Sequence, residues 1–329
     1  MAGFRKAKAE QAALKVGIYG PTGSGKTMTT LLCLEGLAQK SGKRFAFVDT
    51  EHGTDFYCKS VPERAVHPDG FDFDALYTRS IYEVQDAVAS LDPAIYCGIA
   101  LDSITHLWET AKAAYRGKMT KIDTFPIQAW GSIKKPYKDL IAALLSSPLH
   151  IFLCGRQGSL WEENENGELK QTGVKMKAEG ETPYEPHILF RLEPLRQTDG
   201  STVLTCFAEK DRTGKLAGKR FRLDPEPGQT FAMLIEPLLG LLGDTQAKIE
   251  SEEDAGLRDA EHQIDTDQAR GITSETTLKD FLARFQLAKT GSELETIGKE
   301  ITPDLKKRLV ATDLVNLRQA FLDAKEHLK

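Results

Sequence analysis

The residues with the most definite chemistry are Gly20-Pro21-Thr22-Gly23-Ser24-Gly25-Lys26-Thr27, a complete G-x-x-x-x-G-K-T phosphate-binding loop. The spacing predicts a bound nucleoside triphosphate, expected to be ATP. Glycines at 20, 23 and 25 let the backbone turn tightly and aim its N–H groups inward, and the positive end of the following helix favours phosphate. Lys26 is expected to reach the β- and γ-phosphates, and the Thr27 hydroxyl to ligate a Mg²⁺ ion bridging the same oxygens. The bland alternative is a glycine-rich strand-to-helix turn without a ligand. The length of the match and its context, a strand before and a helix after, disfavour it.

A second half of the metal site is predicted at Ile99-Ala100-Leu101-Asp102-Ser103, a strand ending in an acid in the Walker B pattern, with Asp102 holding Mg²⁺ through its water shell. Hydrolysis also needs a group that positions and activates water. Glu51 is the candidate, because Asp49-Thr50-Glu51-His52-Gly53 follows the second strand, at the carboxyl edge where an open α/β sheet binds ligands. General-base help of this kind is worth roughly 10² to 10⁴ in rate. Asp49 competes for the role, and both acids could instead cap a helix or line the surface.

The elements that must carry these groups are short buried strands alternating with helices. Lys15-Val16-Gly17-Ile18-Tyr19 precedes the loop and residues 28–40 read as a helix. Arg44-Phe45-Ala46-Phe47-Val48 is a second strand, and His150-Ile151-Phe152-Leu153-Cys154 is a fourth, ending in Gly155-Arg156-Gln157-Gly158. This pattern predicts an α/β fold with a mostly parallel, helix-covered sheet. Residues 161–186 are polar, include Glu165-Asn166-Gly167 as a hairpin-type turn, and read as a long surface loop. Ile188-Leu189-Phe190-Arg191-Leu192-Glu193 and Thr202-Val203-Leu204-Thr205-Cys206-Phe207-Ala208 are two further strands joined through Thr198-Asp199-Gly200.

Four segments follow: an arm at 1–14, a core at 15–243, an acidic linker at 244–272 and a helical module at 273–329. The module is read from Leu278, Phe281, Leu282 and Phe285 on one face, Ser292-Glu293-Leu294-Glu295 as a capping box, Thr302-Pro303 as a helix start, and a last stripe from Leu314 to Leu328. The chain has 329 residues, of which 28% are charged, with a formal net charge of −5. No run approaches a membrane span, and the first residues lack a secretory apolar region, so the expectation is a cytoplasmic protein, in the host cytoplasm if phage-encoded. Five widely spaced cysteines show neither zinc-ligand spacing nor a disulfide framework. The net charge argues against wholesale coating of DNA, although an average can hide a basic groove.

Residues 14–240 resemble RecA. Phe47-Val48-Asp49-Thr50-Glu51-His52 is similar to the segment around RecA's catalytic glutamate, and Leu101-Asp102-Ser103 to its Walker B strand end. The resemblance implies that Gln157 senses the γ-phosphate and couples it to a second DNA-binding loop. Lys210-Asp211-Arg212 resembles the Lys-x-Lys that reaches a neighbouring protomer's ATP, with Arg212 as an arginine finger in place of the second lysine; a solvated charged hairpin is the alternative. The Lys-rich excursion ending in Thr182-Pro183-Tyr184-Glu185, with the small helical module, resembles phage-type RecA-core ATPases that assist single-strand annealing.

What the resemblance implies is an ATP-dependent, self-assembling protein, ring or filament, that binds single-stranded DNA. Lys26, Thr27, Glu51, Asp102 and Gln157 would come from one protomer, and Lys210 and Arg212 from the next. Lys170, Lys175 and Lys177, with Trp161 and Tyr184, combine phosphate-neutralising charge with stackable rings, or else form a soluble surface. Residues 116–138 are expected to supply a first DNA loop. Phe4-Arg5-Lys6-Ala7 has the form of an oligomerisation hook, or packs on its own core. Residues 273–329 are expected to contact a recombination or DNA-binding partner. Two alternatives share every nucleotide-site residue: a hexameric helicase-type motor, and a nucleotide-gated scaffold with little turnover.

Overall fold

Strand β1 (Lys15–Gly20) is buried from end to end and sits at the middle of the sheet. That position follows from its alternation: Val16 and Ile18 face one core cluster, while Tyr19 joins the cluster on the other side. The computed structural model describes residues 6, 10, 12–64, 66–116, 129–164, 167–223, 228–243 and 252–328.

Around β1 the chain builds β2 (Arg44–Asp49), β3 (Asp74–Tyr77), β4 (Tyr96–Asp102), β5 (His150–Glu163), β6 (Leu169–Lys177), β7 (Ile188–Arg196), β8 (Thr202–Asp211) and β9 (Arg220–Leu223). The order across the sheet is β3-β2-β4-β5-β1-β7-β8-β9, with β6 paired to β5 alone. The six strands from β3 to β7 in that order run parallel, and β8, β9 and β6 are antiparallel additions. Helices cover both faces, as a parallel sheet requires. Helices α1 (Lys26–Ser41), α5 (Gln229–Leu234) and α6 (Glu236–Leu239) bury Leu31, Leu34, Phe231 and Leu238 on one face. Helices α2 (Ile81–Ser90), α3 (Ile104–Arg116) and α4 (Ala129–Ser146) bury Val84, Leu107 and Leu140 on the other. The result is an α/β RecA-like core with helices following it at the C-terminus.

The chain divides into two compact units, residues 1–249 and 250–329. The second contains α7 (Glu252–Leu287), α8 (Gly291–Lys299), α9 (Pro303–Arg308) and α10 (Ala311–His327). Its own cluster of Leu278, Phe281, Phe285, Leu294, Leu309 and Leu317 shows that these short helices bury their stripes against one another. Ser274, fully buried in α7, donates to Asp313 at 2.6 Å and accepts the Val310 amide at 2.9 Å, fixing the start of α10.

Several expectations change here. Residues 252–272, read as part of an acidic linker, lie inside α7; an α-helix closes its hydrogen bonds within its own backbone, so a polar stretch can adopt it without an apolar stripe. The capping box is two residues earlier than Ser292 suggested: the Thr290 hydroxyl accepts from the Glu293 amide, and Glu293 accepts from the Lys289 amide at 2.8 Å. Residues 161–163 and 169–177 belong to a β-hairpin in place of a loop, because β5 runs on to Glu163 and pairs antiparallel with β6. Of the expected first DNA loop, 129–138 lie in α4, Arg116 ends α3, and 117–128 lie outside the described residues. Phe4, Arg5 and Ala7 of the expected hook, Glu165-Asn166 of the expected turn, and residues 244–251 also lie outside them.

Candidate nucleotide site

The phosphate loop joins the buried end of β1 to the first turn of α1, and the hairpin β7–β8 holds it from below. Gly20 has no room for a side chain: an ideal Cβ would lie 2.4 Å from the Leu192 carbonyl oxygen. Gly25, at φ +81°, takes the left-handed conformation that starts α1, with Leu204 Cδ1 only 2.9 Å from where its Cβ would be. Glycines at these points let the loop close on itself and turn its amides toward one space. Lys26 Nζ curls over the loop and donates to the carbonyls of Gly20 at 3.1 Å and Pro21 at 2.9 Å. Burial lowers the Lys26 pKa, and Asp102 opposes that shift first among its neighbours.

Thr27 and Asp102 meet as expected: the Thr27 hydroxyl donates to Asp102 Oδ2 at 2.5 Å. The register Asp49↔Asp102↔Cys154 aligns the ends of β2, β4 and β5. Burial pushes the Asp102 carboxyl up to about 6 against the pull of the Thr27 hydrogen bond. The donor set fits Mg²⁺: a hydroxyl and a carboxylate are side by side, and Ser24 Oγ and Ser103 Oγ are buried beside them without a partner. Thr27 and Asp102 would hold the ion, and Mg²⁺ so bound would supply positive charge to the phosphate oxygens.

The structure separates the two acids after β2. Asp49 is consumed by the turn: it accepts from the Glu51 amide at 2.8 Å, and from the Thr54 amide at 2.8 Å and hydroxyl at 2.7 Å. These bonds outweigh burial and hold its carboxyl below the usual range. Asp49 therefore shapes the turn and Glu51 projects from it. Next in the chain, His52 lies at φ +57°, a conformation that costs a side-chain-bearing residue roughly 1 kcal/mol; its ring stacks on Tyr77 at 5.0 Å.

Three residues without an assigned role in the sequence complete this corner. Thr50 stitches β2 to β4: its amide donates to the Asp102 carbonyl at 2.8 Å, and its hydroxyl accepts the Ser103 amide at 2.8 Å. The same hydroxyl meets His106 Nδ1 at 2.7 Å. His106, whose pKa is lowered by burial and then by Arg156, stands 3.7 Å from Glu51 Oε1. Arg156, the last residue of β5 to pair with β1, grips the Glu51 carboxylate. A threonine between two acids and a histidine on a helix carry no distinctive sequence signal, whereas Arg156 is adjacent to the expected sensor Gln157. Gln157 itself is half-buried and paired with Met176, one position beyond the last β1–β5 pair, Gly20↔Arg156.

Lys210 and Arg212 are not brought to this corner. Both donate to the Tyr184 carbonyl, Arg212 Nη2 at 2.9 Å. The Arg212 amide donates to the His187 carbonyl, and the His187 amide to Lys15, at the start of β1. At about 3.3 Å of rise per residue, the length of β1 puts roughly 17 Å between that end and the phosphate loop.

The hairpin continues from Arg156. Lys177 lies opposite Arg156, Lys175 opposite Gly158 and Lys170 opposite Glu162. A register shift between Leu160 and Trp161 leaves one extra residue on β6, so Lys170 returns to the face of Lys175 and Lys177 despite its odd spacing. Trp161, 56% exposed, falls on the other face, opposite Gln171. The hairpin base is anchored by buried Met176 and by Thr105, which accepts the Arg156 amide and donates to the Lys177 carbonyl.

The family model AAA_24, described as an AAA domain, matches residues 12–193. This chain belongs to that AAA domain family. The matched span of the AAA domain contains the phosphate loop, Glu51, Asp102 and Gln157, so the protein is a P-loop NTPase and binds nucleotide. It is also 36% identical to protein RecA of Mannheimia haemolytica over 109 residues, 32% of this chain and 27% of that protein. Protein RecA of Haemophilus ducreyi is likewise 36% identical over 109 residues, 32% of this chain and 26% of its own length. The chain thus spans about a quarter of the curated relatives it matches. A KaiC-like protein from Pyrococcus horikoshii OT3 aligns with a TM-score of 0.42 and 15% identity, over 65% of this chain and 87% of that one. Among the described residues, no helix of this AAA protein is long and apolar enough to cross a membrane.

Proposed function

We propose that this AAA protein hydrolyses ATP at a seam between neighbouring copies and, in doing so, controls its grip on single-stranded DNA during phage-type strand annealing or recombination. The observation that carries the reading is the position of Lys210 and Arg212, at the end of β1 remote from their own phosphate loop and clustered on one carbonyl. Two cations, Lys210 half-buried and Arg212 exposed, that cannot reach their own nucleotide suit a neighbour's nucleotide. A head-to-tail contact of this kind closes into a ring or extends as a filament.

In this reading Lys26 neutralises the phosphates and Glu51 takes the proton of the water that attacks the γ-phosphorus as the bond to the β-phosphate breaks. Thr50 and His106 hold Glu51 in place. Lys210 and Arg212 of the neighbouring copy offset the charge developing on the transferred group. The lysine row on the hairpin supports a polyanion, and its continuity with Arg156 supports communication between polymer and Glu51.

The test is ATP turnover with and without oligodeoxythymidine across a protein-concentration series. The expected result is a rate per protomer that rises with concentration and rises again with DNA. A protein that stays monomeric when saturated with Mg·ATP and oligonucleotide refutes the shared site.

A further inference from the structure

The C-terminal unit carries a groove of about 640 Å³ between α8, α9 and α10, within the size range of ligand-binding sites. Its apolar wall is formed by Ile301, Leu314, Leu317 and Phe321. Gly298 shapes that wall: an ideal Cβ would lie 2.7 Å from Phe321 Cε2, so the ring lies directly on the α8 backbone. Val315, beside the groove, is an apolar side chain left 67% exposed.

The polar lining is one-sided in charge. Lys299, Lys306 and Arg318 come from three different helices, and none makes an ion pair among the described residues. The lining acid, Glu295, is already matched by Lys325 at 3.5 Å. An apolar trough bordered by unmatched cations is complementary to a chain segment that alternates bulky apolar side chains with carboxylates.

We propose that this groove docks an acidic amphipathic peptide segment of a partner protein, its apolar side chains against Leu314, Val315 and Phe321 and its carboxylates on Lys299, Lys306 and Arg318. A nucleic acid fits less well. Base recognition needs exposed ring faces, whereas this wall is largely aliphatic and Phe321 packs edge-on against Phe285 at 5.4 Å. A fatty anion fits less well because it brings one headgroup, and the three cations stand on separate helices. The proposal is independent of the nucleotide reading, since none of these residues belongs to the phosphate site.

The experiment uses the full chain and a fluorescein-labelled helical peptide of about twelve residues, with Leu and Phe at positions i, i+4 and i+7 among Glu and Asp. Binding is expected to weaken with salt and to shift the methyl resonances of Ile301, Leu314 and Val315. The double variant Lys306→Glu/Arg318→Glu is expected to weaken it at least about tenfold while ATP turnover is unchanged. A charge-reversed peptide, with Lys replacing the acids, is expected to bind that double variant, which separates lost complementarity from lost folding. Absence of binding, binding indifferent to the double variant, or displacement of the peptide by oligodeoxythymidine or dodecanoate with the same methyl shifts would overturn the proposal.

Discussion

The guanidinium of Arg156 meets the carboxylate of Glu51 through Nη2 at 2.9 Å and Nε at 3.3 Å. One partner is the expected base for hydrolysis, and the other is the first residue of β5 to pair with the lysine-bearing strand, opposite Lys177. Two N–H donors tether the Glu51 carboxylate to β5, so the contact restrains its movement. The two side chains are 50% and 42% exposed, which limits such a pair to roughly 0.2–1 kcal/mol.

That limit sets the size of the first prediction. Arg156→Ala should raise ATP turnover without DNA by about two- to fivefold and shrink the further stimulation by DNA. Glu51→Gln should lower turnover by about 10²-fold or more. Steady-state phosphate release measures both, and an Arg156→Ala protein as slow as Glu51→Gln would show that the arginine acts on the phosphate itself.

Mixing experiments probe the shared site. Lys26→Ala and Arg212→Ala should each be inactive alone. A one-to-one mixture should recover about a quarter of the normal rate, because random head-to-tail assembly pairs an intact loop with an intact finger at that frequency. If Arg212 served its own loop, no mixture would recover activity.

The hairpin predicts salt dependence. Replacing Lys170, Lys175 and Lys177 together by Ala should weaken single-stranded DNA binding uniformly across sequences and lower the salt slope by about two units, at about 0.7 per phosphate contact. Trp161→Ala, on the opposite face, should leave that slope unchanged. Fluorescence titrations across a salt series distinguish the two.

Acid should loosen the start of β1. His150 Nδ1 accepts the Leu14 amide at 3.0 Å and His187 Nδ1 the Lys15 amide at 3.2 Å, so both rings are needed neutral. Burial, reinforced by Lys15, lowers both histidines to about 4. The unfolded chain therefore binds more protons between pH 4 and about 6.5, and the stability these rings contribute is complete above that window and lost as pH falls through it. For His150 the slope approaches about 1.4 kcal/mol per pH unit. Urea unfolding at pH 5 and pH 7.5 should show the difference, and His150→Gln should reduce it.

The phosphate loop between strand and helix, the strand that ends in Asp102 and the parallel α/β core were legible in the sequence because each rests on local spacing. A loop of fixed length between a buried strand and a helix needs its glycines and its Lys-Thr pair at set positions, and buried strands announce themselves as apolar runs. The start of α9 at Thr302-Pro303 was legible for the same reason, since a cap depends only on its own turn. Tertiary structure alone decided the rest. Asp49 and Glu51 are chemically alike, and only the hydrogen bonds from Thr54 assign one to the turn and leave the other to project. Antiparallel pairing with the extension of β5 turned a polar stretch into β6, and a one-residue register shift chose the face of Lys170. Arg156 reaches Glu51 across 105 positions of sequence because β5 lies next to β4 and β4 next to β2. Such neighbours are set by the burial of whole strands, which no short window of residues encodes.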